Sequence, residues 1–302
     1  MSHIHINFEH VNYSYEKSVP ILQDITFTAH ENDSIGLIGA NGVGKSTLLK
    51  LLVGLNLDYE GSIRVEEMPV VKEMLPKVRE KIGYVFQDSD SQLFMSTVFE
   101  DVAFAPRNYG LPEEEVEKRV NHALKQIHIE HLRDKQIYKM SGGEKKMASI
   151  ATILAMTPDI ILMDEPSIAL DPRNRRSLIH ILNDFEHLKI IASHDLDMIL
   201  ETCSRVILMS GGCIVCDGDA KEILTNQELL EENGWNCRSA CRSRCGRKGR
   251  KKTKENNNRG YLKSKNQIFP VVVFKKNPKV ESGFGFLLQI FLDRLSFRCQ
   301  LR

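Results

Sequence analysis

The sequence predicts an α/β fold built on a parallel core sheet. The first observation is an apolar strand at residues 34–38, which leads through a glycine-rich loop into an apolar helix from residue 47. The second is the unbroken apolar run at residues 159–163, which is typical of a strand buried on both faces of a parallel sheet. Similar runs at residues 189–193 and 205–209 predict two further strands.

The composition is that of an ordinary soluble globular protein. The chain has 302 residues, 42% hydrophobic and 27% charged, enough for one large domain or two small ones. No apolar run reaches the length of a membrane span. The N-terminus lacks a basic region followed by an apolar stretch, so we expect a cytoplasmic protein. The seven cysteines are too sparse for a disulfide framework.

The net charge of +1 conceals two different compositions. Residues 236–302 carry 18 Lys and Arg against 3 Asp and Glu, whereas the residues before them carry 23 against 37. We therefore predict a globular domain at residues 1–234 and a basic tail at residues 235–302. The tail is interpreted as disordered or translated out of frame. A basic arm for nucleic acid or anionic lipid, and a metal site at its clustered cysteines, are the alternatives.

The N-terminal part begins with alternating patterns that predict β-strands at residues 4–8 and 25–29, and a further short strand is predicted at residues 61–65. Tyr15 lies between the first two. An aromatic side chain at this point could stack on a purine or pack on a half-buried strand, and its spacing leaves both possibilities open.

The glycine-rich loop matches the phosphate-binding pattern G-x-x-x-x-G-K-[ST] between a strand and a helix. Its backbone N–H groups and the following helix N-terminus would cradle phosphates. Lys45 would reach the β- and γ-phosphates, and the Ser46 hydroxyl would ligate Mg²⁺. The loop, called the phosphate loop below, consists of Gly39, Ala40, Asn41, Gly42, Val43, Gly44, Lys45, Ser46 and Thr47.

The middle of the chain joins a short strand to a mainly helical region at residues 97–155. The strand at residues 81–86 leads into Gln87, which is either an ordinary surface glutamine or a polar group with a ligand to bind. At the start of the helical region, Thr97 is predicted to cap a helix with Glu100 as its capping-box partner.

A second candidate phosphate contact lies before a strong helical pattern at residues 145–156. Ser141, Gly142 and Gly143 would present bare N–H groups beside a hydroxyl, which suits a phosphate. The same residues would also form an ordinary N-cap, and the sequence leaves both interpretations open.

Two adjacent carboxylates, Asp164 and Glu165, follow the strand at residues 159–163, at the edge where α/β sheets bind ligands. Asp164 suits Mg²⁺ coordination, and Glu165 suits polarising a water molecule. His194 follows the next parallel strand, where a lone histidine is usually structural. A single helix is predicted at residues 220–232.

Taken in this order, the motifs resemble those of the nucleotide-binding subunit of an ATP-binding-cassette (ABC) transporter over about residues 4–234. The resemblance implies a phosphate-loop ATPase fold with a parallel core sheet, an N-terminal antiparallel β subdomain and a helical subdomain at about residues 89–155. It also implies head-to-tail dimers, with ATP between the phosphate loop of one protomer and residues 141–143 of the other.

The resemblance also implies a role for each remaining motif. Tyr15 would stack on adenine, Glu165 would polarise the attacking water, and His194 would contact the γ-phosphate. The residues serving Mg²⁺ would be Ser46, Gln87 and Asp164.

A narrower resemblance, to energy-coupling-factor and cobalt/nickel importers, rests on residues 83–88, 92–94 and 97–106. In that branch the ATPase pairs, at the cytoplasmic face of the membrane, with a transmembrane coupling protein and a substrate-binding membrane component. The substrates are vitamins or transition-metal ions. This implies ATP and Mg²⁺ as ligands, and a homodimer or a heterodimer with a related ATPase subunit.

The signature segment, residues 140–144, departs from the family pattern, which usually opens with Leu and ends in Gln. Met140 and Glu144 occupy these positions, and Met147 stands where an Arg is frequent. Glu144 therefore adds negative charge near a phosphate site.

The alternative function is that of a soluble ABC ATPase acting on nucleic acid or ribosomes. The 125 residues from Gly39 to Asp164 contain no sustained heptads for a long coiled coil, and the chain carries one cassette rather than two. The basic tail is the only feature of the sequence that favours this alternative. The motifs of the cassette favour the transporter, so we expect no nucleic acid as a partner.

Overall fold

A computed structural model describes residues 4–16 and 19–234 of the chain. The predicted tail at residues 235–302, with its three alternative interpretations, lies outside the described residues. Within those residues, no helix combines the length and apolar composition needed to cross a bilayer.

The N-terminal sheet is antiparallel and has the strand order β2-β1-β4-β5. Its strands are β1 (Ile4–Tyr13), β2 (Leu22–His30), β4 (Glu60–Val65) and β5 (Met68–Pro69). The first strand runs well past the predicted residues 4–8, so Tyr15 follows the strand end closely. This sheet is the predicted antiparallel β subdomain.

The core sheet has the order β10-β9-β3-β8-β7-β6, and every pairing in it is parallel except that of β10 with β9. Its strands are β3 (Ser34–Gly39), β6 (Ile82–Val85), β7 (Ile160–Asp164), β8 (Leu188–Ala192), β9 (Arg205–Ser210) and β10 (Cys213–Asp219). The predicted parallel core is therefore confirmed, with one antiparallel strand at its edge.

Helices connect the strands. They are α1 (Lys45–Leu52), α2 (Leu75–Lys81), α3 (Val98–Asn108), α4 (Glu113–Gln126), α5 (Gly142–Leu154), α6 (Pro172–Asp184), α7 (Leu196–Thr202), α8 (Ala220–Thr225) and α9 (Gln227–Glu232). Helices α3, α4 and α5 pack on one another and make up the helical part of the molecule.

Two apolar cores lie on opposite faces of the core sheet, because successive strand residues point to opposite sides. In β7, Ile160 and Leu162 join the core shared with the N-terminal sheet, whereas Ile161 and Met163 join the core shared with the helical part. All residues of β7 are buried, which explains its unbroken apolar run.

Two local predictions were wrong in detail. The single helix expected at residues 220–232 is broken at Asn226, whose backbone, at φ −81° and ψ 89°, is not helical and ends α8. Its side chain accepts a hydrogen bond from the Leu229 N–H at the start of α9. Thr97 caps α3 as predicted, but the carboxylate of Glu100 pairs with Arg107 at 3.0 Å.

Candidate functional site

The candidate site lies at the carboxyl ends of three neighbouring parallel strands. Strand β8 lies between β3 and β7, so the residues that follow these strands meet at one edge of the sheet. The phosphate loop continues from β3, Asp164 ends β7, and His194 comes shortly after β8. Open α/β sheets bind ligands at this edge.

Two glycines give the phosphate loop its shape. Gly39 has φ 152°, and a Cβ there would lie 2.4 Å from the carbonyl oxygen of Met209. Gly44 has φ 111°, and a Cβ there would lie 2.6 Å from a methyl group of Leu22. Because a side chain at either position would clash, the loop can pass close to β9 and β2 before α1 begins.

Lys45 is buried at the start of α1, and its ammonium group folds back over the loop. Its Nζ donates to the carbonyl oxygens of Gly39 at 2.7 Å and Ala40 at 3.3 Å, and lies 3.3 Å from Nε2 of His194. Burial lowers the pKa of Lys45, while the negative charges of Glu165 and Asp164 raise it. The loop thus contains a cation held among carboxylates and backbone dipoles.

Asp164 carries an oxygen that fits a metal ligand. The Tyr84 hydroxyl donates to Oδ2 at 3.4 Å, whereas Oδ1 is buried without a hydrogen-bond partner among the described residues. Burial raises the pKa of Asp164. The Ser46 hydroxyl and the positive charges of Lys50 and Lys45 oppose that rise. A buried, unsatisfied carboxylate oxygen next to a hydroxyl is the hard oxygen donor set that Mg²⁺ prefers.

Glu165 is held in an uncommon backbone conformation, with φ 47°. Its N–H donates to the Ala192 carbonyl at 2.8 Å, which anchors the turn to the end of β8. Oε2 accepts hydrogen bonds from the Ser193 hydroxyl at 3.3 Å and the His194 N–H at 3.2 Å. Left-handed backbone in a residue other than glycine is costly, and such strain clusters at functional sites.

His194 lies between the charged groups of Lys45 and Glu165. Its Nε2 lies 3.2 Å from Oε1 of Glu165 and 3.3 Å from Nζ of Lys45. Burial lowers the pKa of His194; the charge of Glu165 raises it and that of Lys45 lowers it further. The structure therefore brings Lys45, Asp164, Glu165 and His194 to the same edge of the core sheet, as the resemblance to ABC transporter subunits implied.

Tyr15 lies beside the phosphate loop with its ring open to solvent. The hydroxyl is 3.3 Å from Oγ1 of Thr47, and the ring packs edge-on against Tyr13 at 5.0 Å between centroids. Tyr15 is 56% exposed, whereas Tyr13 is buried at 7%. Tyr13 is therefore the aromatic residue that packs on the strand. The ring of Tyr15 is exposed and accessible to a ligand.

Gln87 is exposed, and contacts at its backbone fix its position. The buried ammonium group of Lys146, in α5, donates to the carbonyl oxygens of Phe86 at 2.9 Å and Gln87 at 2.8 Å. Gln92 adds a second link, since it accepts from the Phe86 N–H at 3.1 Å and donates to the Ser149 carbonyl at 2.8 Å. These contacts tie the segment containing Gln87 to the helix that begins with the signature segment.

Sequence reasoning missed both Lys146 and Gln92. Burial lowers the pKa of Lys146 to about 8, and the nearby charges of Asp164, Asp88 and Glu165 oppose that effect. The sequence did offer one sign of this burial. Lys146 is three positions after Gly143 and four before Ile150, which places it on the apolar face of the predicted helix.

The signature segment forms a complete N-cap. Glu144 N–H donates to the Ser141 hydroxyl at 3.3 Å, and the Ser141 N–H donates to the Glu144 carboxylate at 2.8 Å. Ser141 and Gly142 are exposed, and Gly143 lies close enough to the Ala169 carbonyl that a Cβ would be 3.0 Å from it. The N-cap interpretation is therefore correct, and the exposed helix start also remains open to a ligand.

Comparisons with known proteins identify the family of the chain. The family model described as ABC transporter matches residues 22–168. A Geobacter sulfurreducens protein assigned as an ABC transporter ATP-binding protein is 48% identical, over 76% of this chain and 92% of that protein. The energy-coupling factor transporter ATP-binding protein EcfA of Carboxydothermus hydrogenoformans is 40% identical, over 76% of this chain and 86% of its own.

Among solved structures, cbiO1 from Clostridium perfringens, part of the ABC transporter complex cbiONQ, is similar to this chain. The TM-score is 0.67 at 35% identity, over 76% of this chain and 94% of that one. The phosphate loop and the strand-end carboxylates define a nucleotide-binding ATPase. The chain belongs to the ABC transporter ATPase family, whose cassettes couple ATP hydrolysis to transport.

Proposed function

We propose that this chain powers a membrane importer of vitamins or transition-metal ions. The observation that carries the proposal is the cluster of Lys45, Glu165 and His194 beside the phosphate loop, joined by contacts of 3.2–3.3 Å through His194, with Asp164 at the end of the neighbouring strand β7. The similarity to an energy-coupling-factor ATPase and to cbiO1 supports this branch of transporters over others.

In this proposal the phosphates of ATP lie in the phosphate loop, against its N–H groups and the start of α1. The ammonium group of Lys45 turns from the loop carbonyls to the β- and γ-phosphate oxygens. Ser46, Asp164 and Gln87 would hold Mg²⁺, which would supply positive charge beside the phosphate oxygens. The buried Oδ1 of Asp164 supports this assignment.

Glu165 is proposed as the base that orients and polarises the attacking water, and His194 as the contact to the γ-phosphate. Both side chains already meet at the strand ends, at 3.2 Å. Phosphoryl transfer requires mainly positioning and charge stabilisation, and a preassembled cluster of this kind supplies both at the phosphate loop.

The proposed active unit is a head-to-tail dimer. ATP bound to one protomer contacts residues 141–143 of the other, either in a homodimer or with a related ATPase subunit. The solvent exposure of Ser141 and Gly142 supports this, because it leaves the N–H groups at the start of α5 accessible to a phosphate from another chain.

The chain is proposed to act at the cytoplasmic face of the membrane, bound to a transmembrane coupling protein and a substrate-binding component. Co-expression with its genomic neighbours and purification in detergent tests this: an integral membrane partner should co-purify. Salt-sensitive retention on DNA or ribosomes, without membrane association, would support the alternative function instead.

Replacing Tyr15 with Ala should weaken ATP binding by roughly 5- to 150-fold, because stacking of a base on an aromatic ring is worth about 1–3 kcal/mol. Tyr15→Phe keeps the ring and serves as the matched control, with little loss. Titration with a fluorescent ATP analogue measures both. Equal affinities for the Ala and Phe variants would rule out adenine stacking at this position.

Truncation after Gly234 should leave folding and nucleotide binding intact, since the described ATPase elements end at α9. Truncation after Asn226 is the control: it also removes Leu230, which is 2% exposed in the apolar core, and should lower the thermal midpoint. Thermal melts and ATP titration compare the two. Unfolding of the chain truncated after Gly234 would show that residues 235–302 are needed for the fold.

A further inference from the structure

The acidic residue of the signature segment has a basic partner outside the signature helix. Glu144 lies in the first turn of α5. Nζ of Lys135 donates to its Oε1 at 2.8 Å and its Oε2 at 3.0 Å. The hydrogen bond from Lys135, followed by that from the Ser141 N–H, lowers the pKa of Glu144. The carboxylate is therefore ionised and paired.

An ionised carboxylate in this position has two opposite effects. In the first turn it stabilises the helix by interacting with the positive end of the helix dipole. The same charge repels any phosphate that approaches the same N–H groups. A helix start meant to receive ATP therefore needs a counter-charge near Glu144.

Three other lysines near the signature segment have contacts of their own. Nζ of Lys139 lies 5.5 Å from the centroid of the Tyr138 ring. Lys145 forms an ion pair with Asp90 at 2.5 Å. The ammonium group of Lys146 is buried against the carbonyls of Phe86 and Gln87. The ammonium groups of Lys145 and Lys146 therefore contact the segment after β6. The direct partner of the Glu144 carboxylate is Lys135.

The backbone on both sides of Lys135 is fixed. Its N–H donates to the Leu132 carbonyl at 2.9 Å, and its carbonyl accepts from the Val98 N–H at 3.2 Å, at the start of α3. The side chain is about one-third exposed, at 33%. Lys135 thus extends from an anchored segment to Glu144, at modest entropic cost to the pair.

We propose that Lys135 is a positioning residue of the signature half-site: it neutralises Glu144 and holds the carboxylate on the Ser141 N–H, so that the start of α5 accepts the phosphates of ATP bound to a second protomer. This inference rests on the proposed head-to-tail dimer. It explains how a signature ending in Glu, in place of the usual Gln, keeps an anion-binding helix start.

The test compares four full-length proteins: wild type, K135M, E144Q and the K135M/E144Q double variant. E144Q keeps the capping geometry without the charge. K118M is the matched control, since Lys118 is 80% exposed in the middle of α4 and its removal changes the net charge equally. The readouts are kcat and KM for ATP hydrolysis at low and high salt, and affinity for a fluorescent ATP analogue.

K135M should lower kcat by roughly 3- to 30-fold, the effect of one charge at a helix terminus, with analogue affinity unchanged. E144Q should raise kcat, and the double variant should return to within about twofold of wild type because the net local charge is restored. The K135M defect should shrink at 1 M salt, where the screening length falls to about 3 Å.

Two results would overturn the role of Lys135: a kcat for K135M equal to that of K118M, or a double variant as slow as K135M alone. The proposed dimer is judged separately, by whether a Glu165→Gln chain dimerises with ATP. If that chain dimerises and E144Q does not rescue K135M, the role of Lys135 is wrong and the dimer stands.

Discussion

Lys45→Ala is expected to lower the ATPase rate by several orders of magnitude. The substitution removes the buried ammonium group that lies between the loop carbonyls and His194. In phosphate-loop enzymes this charge contacts the β- and γ-phosphates, and charge stabilisation supplies most of the catalysis of phosphoryl transfer.

Phosphate release from purified Lys45→Ala with ATP and Mg²⁺ measures this effect. Lys72→Ala is the control, because Lys72 is an exposed lysine outside the site. Wild-type activity in Lys45→Ala would refute the assignment of the nucleotide site to the phosphate loop.

Glu165→Gln should lower hydrolysis by about 10²–10⁴-fold, the usual contribution of general base catalysis. The amide keeps the shape of the side chain and can still accept hydrogen bonds from Ser193 and the His194 backbone, so ATP binding should survive. Single-turnover hydrolysis and analogue binding separate the two effects.

Glu186→Gln, at an exposed acid, is the matched control and should hydrolyse ATP at the wild-type rate. A Glu165→Gln protein with wild-type turnover would show that another group activates the water. Loss of ATP affinity together with turnover would show that Glu165 acts in binding rather than as a base.

Much of the site could be predicted from the sequence because its parts are local. The phosphate loop needs only a strand, glycines and a helix in succession, and the structure contains β3, the loop and α1 in that order. Asp164 could be placed at a sheet edge because β7 is an unbroken apolar run that ends there. Resemblance to ABC transporter subunits is confirmed by the family comparison.

Other features depend on contacts between distant segments, which the sequence does not reveal. The contact of His194 with Glu165 requires β8 to pair with β7, and a lone histidine after a strand carries no sign of that pairing. The links from Lys146 and Gln92 to Phe86 join residues up to 60 positions apart. A charged side chain on a helix usually faces solvent, so the sequence does not reveal that Lys146 is buried.

The contact between Lys135 and Glu144 shows the same limit at short range. The residues are nine apart and belong to different segments, so no helical spacing connects them. From the sequence, Glu144 was only an added negative charge near a phosphate site. Its pairing with Lys135 shows that the charge is locally balanced instead.

In the proposed dimer, ATP joins two protomers through the phosphate loop of one and the signature segment of the other. Size-exclusion chromatography of Glu165→Gln, with and without ATP and Mg²⁺, tests it most directly when run beside Glu165→Gln/Ser141→Arg. We expect an ATP-dependent dimer for the first protein, and a monomer that still binds ATP for the second. A dimer that forms equally well with Arg at position 141, or without ATP, would contradict it.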